Sequence, residues 1–106
     1  MNKKRWFNLS LSEQLANIGS EVERTILWRR KNNPEYSQKA FERGLELTDL
    51  TLADPKNRQR LRELSRLREV LADYFFGQNE YGSSASLWQK YFLAFNYKAR
   101  LHTLKI

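Results

Sequence analysis

The sequence predicts an all-α domain, an antiparallel up-down four-helix bundle. Three observations carry this. Apolar residues recur at spacings of three and four in four long stretches, the mark of one buried helix face. A helix-start signal precedes each stretch. Only four Gly and two Pro occur among 106 residues, too few turn signals for a many-stranded β fold.

Ser10-Leu11-Ser12-Glu13 fits a capping box, in which the hydroxyl accepts from an orphan N–H and the carboxylate reaches back. It opens a first helix to Lys31, with Leu11, Leu15, Ile18, Val22 and Ile26 on one face. Asn33-Pro34 puts a capping side chain before a proline at the first helical position. The second helix then runs to Ala53, with Phe41, Leu45, Thr48 and Leu52 inward and Ala40, Gly44 and Thr51 beside them. Asp54-Pro55 repeats the device and starts a third helix to Phe76, carrying Leu61, Leu64, Leu67, Leu71, Tyr74 and Phe75. Gly77 is placed to end it. Ser83 or Ser84 caps a fourth helix to Leu101, with Trp88, Tyr91, Phe92, Phe95 and Ala99 as its core face. Short connections favour antiparallel neighbours. The organisation is therefore a basic, aromatic arm over residues 1–9, a bundle over 10–101 and a tail over 102–106. Gly19 and Gly44 interrupt helices, which costs about 1 kcal/mol each relative to Ala. A close helix crossing or simple tolerance explains them.

The chain has no cysteine. That excludes disulfides, thiolate metal sites and a Cys nucleophile, and points to a cytoplasmic location. No apolar run approaches the roughly 20 residues of a membrane span, and the opening Asn2-Lys3-Lys4-Arg5-Trp6-Phe7 is not followed by a signal-peptide core. No membrane partner is expected.

Net charge is +7, which favours polyanions, although solubility alone accounts for a charge of this size. In an up-down bundle the arm, the start of the third helix and the end of the fourth share one end of the molecule. Lys3, Lys4, Arg5, Lys56, Arg58, Arg60, Arg62, Arg66, Lys98 and Arg100 are the candidate nucleic-acid-binding residues. Arg58, Arg62 and Arg66 step by four as one outward row, continued by Glu69 and Asp73. Cations at a helix start oppose its dipole. Either Asp49 and Asp54 at the end of the second helix compensate them, or the row serves a partner. Trp6 and Phe7 either stack on unpaired bases or anchor the arm on the bundle. Arg29, Arg30 and Lys31 close the first helix, where cations suit the dipole.

The fourth helix carries a second apolar row, Leu93, Tyr97, Leu101 and Leu104. A helix apolar on two sides is buried on two sides. With Trp28, one turn from Arg24, these residues form a candidate protein interface, homo-oligomeric or with another partner; a packed tail is the alternative cover. The stretch from Tyr74 to Gly82 reads as a recognition loop or as an aromatic plug over the bundle end.

No constellation of catalytic residues is present. His102 is the only histidine, so no His pair can bind metal. Arg100-Leu101-His102 lacks the Arg-to-His spacing of HEPN-type nucleases. Glu42, Glu46 and Asp49 project outward, whereas metal sites in bundles project inward. No cofactor is implied. The expected function is a non-enzymatic accessory protein that binds DNA or RNA electrostatically, as an oligomer or as a subunit of a nucleic-acid-processing assembly. The alternative is a protein-interaction bundle with no nucleic-acid affinity.

Overall fold

The computed structural model describes the backbone of residues 2–104 and side chains through residue 95. The chain is all-helical, with no strand among the described residues. Five α-helices follow in order: α1 (Lys3–Phe7), α2 (Leu11–Arg30), α3 (Pro34–Ala53), α4 (Leu61–Phe75) and α5 (Ala85–Leu104). A 3-10 turn, Pro55–Arg60, joins α3 to α4. None of the described helices is long and apolar enough to cross a membrane.

The caps form where the local signals place them. Ser10 Oγ accepts from Glu13 N at 3.1 Å, and Glu13 Oε1 accepts from Ser10 N at 3.0 Å. Asn33 Oδ1 accepts from Tyr36 N at 3.1 Å. Ser84, rather than Ser83, caps α5 by accepting from Leu87 N at 3.2 Å. The backbone of Gly77 closes α4 by donating to Ala72 O and Asp73 O.

Three helix pairs run antiparallel, α2 with α3, α3 with α4 and α2 with α5. On α2 and α3, Ser37 Oγ donates to Thr25 O at 2.9 Å, while Gln14 Nε2 donates to Asp54 at 2.8 Å. On α3 and α4, Arg68 pairs with Asp49 while Phe41 packs against Phe75 with the rings tilted by 46°. On α2 and α5, Gln89 reaches Glu23 and Phe92 lies on Gly19. The contacts are consistent with the expected bundle. A core of Leu15, Ile18, Val22, Ile26, Phe41, Leu47, Leu64, Leu67, Leu71, Phe75, Trp88 and Phe92 fills the centre, with Trp6 added from α1.

Gly19 is the close crossing. A Cβ there would lie 2.7 Å from Phe92 Cβ and Cγ, and Phe92 is itself buried. Gly44 is simple tolerance, since its nearest neighbour, Glu21 Cβ, would be at an ordinary 3.5 Å.

Three expectations need correction. Residues 55–60 are 3-10 and not α, so the step-of-four reading of Arg58 breaks at three residues per turn. Leu61 is exposed, because it opens α4 at the rim of the core. Tyr91 is 43% exposed: Trp88 and Phe92 occupy the inward face of α5, and Tyr91 packs on their flank.

Candidate nucleic-acid interface

The residues of the arm do not hang free. Lys3 to Phe7 form one short helix, capped by Asn2 Oδ1 on Lys4 N. Trp6 is only 1% exposed, and its indole N–H donates to Thr51 Oγ1 at 3.0 Å. The base-stacking alternative for Trp6 is therefore excluded by burial; it anchors the arm.

A buried polar network makes that anchor. Gln14 Nε2 donates to Trp6 O at 2.9 Å and to Asp54 Oδ2. Asn57 Nδ2 donates to Gln14 Oε1 at 2.9 Å and to Thr51 O at 3.0 Å. Lys56 Nζ donates to Asp54 Oδ2 and to Phe7 O. Asp54 Oδ1 also caps the 3-10 turn by accepting from Lys56 N at 3.1 Å. Burial opposes ionisation of Asp54, but hydrogen bonds from Lys56 and Gln14 and the Lys56 charge outweigh it, so its carboxyl lies below the ordinary value. Buried polar groups of this kind hold a unique geometry when each is satisfied.

The network brings α1 and the 3-10 turn together, and with them the predicted cations of one end. They are not equivalent. Lys56 is tied to Asp54 and the Phe7 carbonyl. Arg60 pairs with Glu63 at 3.0 Å. Lys3 lines a depression with Glu42, Glu46 and Asp49 of α3. Lys4, Arg5, Arg58 and Arg62 are exposed, with no ion pair among the described residues. The side chains of Lys98 and Arg100 lie outside the described residues.

The far part of the arginine row has an internal role. The Arg66 guanidinium lies 5.0 Å from the Tyr81 ring centre. The Asp73 carboxylate accepts from Glu80 N and Tyr81 N at 2.8 and 3.1 Å. Hydrogen bonding to Glu69 raises the Tyr81 hydroxyl above its ordinary value. Asn79, at φ 56°, exchanges two hydrogen bonds with the Ser83 backbone. The loop is thus held down by the α4 row. Of the predicted dipole compensation, Asp49 meets Arg68 at 2.6 Å and Asp54 caps the turn. Arg29 reaches across to α4, donating to Phe75 O at 3.3 Å.

The candidate protein interface divides. Leu93 is 66% exposed, as a second apolar row requires. The side chains of Tyr97, Leu101, Leu104 and His102 lie outside the described residues. Leu87 and Tyr91 of α5 are exposed as well; period alone does not separate the flank of a helix from its core face. Trp28 is half-buried at the α2–α3 turn. It meets Tyr36 edge-on at 4.9 Å, and Lys31 lies over its ring at 5.3 Å. Arg24, one turn from Trp28, places its guanidinium on Glu21 at 2.6 Å, and the cation over the Trp28 ring is Lys31.

The sequence reading also missed a groove between α2 and α3, about 360 Å³ in volume, lined by Glu21, Arg24, Trp28, Tyr36, Lys39, Ala40 and Arg43. An antiparallel pair of helices turning at residues 31–33 brings positions 28 and 36 together, which was the available signal. Among the described residues no cluster of His, Asp or Glu could hold a metal ion. Comparison of the chain with protein-family models, curated proteins and solved structures finds no match.

Proposed function

We propose that this chain is a non-enzymatic accessory protein that binds nucleic acid through its basic end, as an oligomer or as a subunit of a larger assembly. We read its antiparallel pairs as an up-down four-helix bundle acting as a rigid carrier. The observation that supports binding is the set Lys4, Arg5, Arg58 and Arg62. Lys4 and Arg5 of α1 and Arg58 of the 3-10 turn are fastened to each other by the Trp6–Gln14–Asp54–Asn57 network, and Arg62 follows in the first turn of α4. Fixed cations of this kind contact phosphates without reading bases.

Duplex binding is therefore expected to weaken linearly in log salt, and to weaken alike for every sequence when Arg5, Arg58 and Arg62 become Ala. Each lost phosphate contact lowers the salt slope by about 0.9. Fluorescence anisotropy across a salt series measures both. Binding that ignores salt and all three substitutions would overturn the reading.

A second reading, a protein-interaction bundle, draws support from the exposed Leu87, Tyr91 and Leu93 on α5. Sedimentation of the wild type and of a Leu87→Lys/Leu93→Lys variant tests it. Loss of an assembly without loss of nucleic-acid binding assigns α5 to the protein partner.

A further inference from the structure

We infer that the groove between α2 and α3 is a separate site for an unpaired nucleotide, with Trp28 and Tyr36 taking the base and Lys39 and Arg43 the flanking phosphates. The inference rests on the nucleic-acid reading and gives it a strand preference. The groove lies toward the α2–α3 turn, at the opposite end from the α1 network, because Trp28 closes α2 whereas Gln14 begins it.

Three observations converge. The aromatic pair is reachable: Tyr36 is 48% exposed and Trp28 is half-buried, whereas Trp6 and Trp88 are both buried. Cations already sit on both rings, Lys31 over Trp28 and Lys39 over Tyr36 at 6.0 Å. Their flexible ammonium tips can move onto phosphate when a base enters. The lining has three cations against one carboxylate, Glu21, which is buried and paired with Arg24; Lys39 meets the exposed Glu35 at 3.6 Å, a solvent-screened pair that a phosphate can replace. Arg43 is exposed and makes no ion pair among the described residues. An apolar peptide would not match so much positive charge. A duplex would satisfy the cations but keep its bases stacked away from the rings. Single strands offer phosphate and a free π-face together, the combination that stacking platforms in basic grooves accept.

The test titrates the full chain with a single-stranded oligothymidylate of about ten nucleotides, a length within the usual site size, and with a duplex of equal length. Tryptophan emission and anisotropy are both read. Because Trp28 is the tryptophan a base can reach, the single strand is expected to quench emission in the wild type but not in Trp28→Phe. Tyr36→Ala and Arg43→Gln, both at exposed positions, should lower single-strand affinity about tenfold or more and leave duplex affinity unchanged. Full single-strand affinity in these two variants, with unchanged emission in the wild type, overturns the groove. If Arg5, Arg58 and Arg62 alone then govern binding, the basic-end reading survives without it. Loss on groove substitution alone leaves the groove standing and removes the basic end. Absence of binding to either probe at low salt removes both.

Discussion

The indole N–H of Trp6 donates to Thr51, whereas that of Trp88 is buried with no acceptor among the described residues. Replacing each by Phe removes similar volume but opposite hydrogen-bond consequences. Trp6→Phe loses a buried bond, while Trp88→Phe removes an unsatisfied donor, a group that costs about 1–3 kcal/mol. Trp6→Phe should therefore be the more destabilising of the two, by about 2 kcal/mol in urea unfolding. The two helical glycines separate in the same way. Gly44→Ala should stabilise by up to about 1 kcal/mol through helix propensity. Gly19→Ala should destabilise by about 1–3 kcal/mol through overpacking against Phe92. Asp54 sets the acid limit of its network. Its folded value lies below the ordinary 3.8, so between the two values the unfolded chain binds more protons. Its contribution is complete above the unfolded value and lost as pH falls through the folded one. Asp54→Asn should flatten that acid-side slope in denaturation curves collected below about pH 5.

At the scale of the helix, what the sequence made legible was local. Ser10 with Glu13, Asn33 with Pro34, and Asp54 with Pro55 each act within four positions; the first two cap α2 and α3 as expected, whereas Asp54 caps the 3-10 turn and α4 starts without a side-chain cap. The bounds of α3 follow from two such signals. What the sequence left hidden was contact between distant positions. Gln14, Thr51 and Asn57 look like ordinary polar residues, because their partners lie about forty residues away and leave no periodic trace. The 3-10 turn was hidden for a different reason, since a capped proline start serves both helix types. The basic end was legible as a gathering of charge, but the ties of Lys56 to Asp54 and of Arg66 to Tyr81 needed side-chain geometry. Packing also ranks the helices. α2 is the one that packs extensively against both α3 and α5. Amide exchange should accordingly be slowest over its buried stretch from Ile18 to Ile26, and faster in the 3-10 turn, where exposed residues dominate.

Across the whole molecule, charge is arranged by end and by face. The cations of α1 and the 3-10 turn occupy one end, the groove at Trp28 and Tyr36 lies toward the other, and the acidic residues of α3 border Lys3 in between. The two polyanion contacts proposed above should therefore respond separately to substitution, as distant sites do when they share no partners. The polar network around Asp54 has a consequence for the order in which the protein is made. It uses no residue beyond position 57. A chain emerging from the ribosome exposes every partner of that network before α4 and α5 have emerged. Chains fold from the N-terminal side as they grow. The first half can thus fasten its own leading helix, and the second half arrives to a surface already in register, contributing the apolar closure of Leu67, Leu71, Trp88 and Phe92.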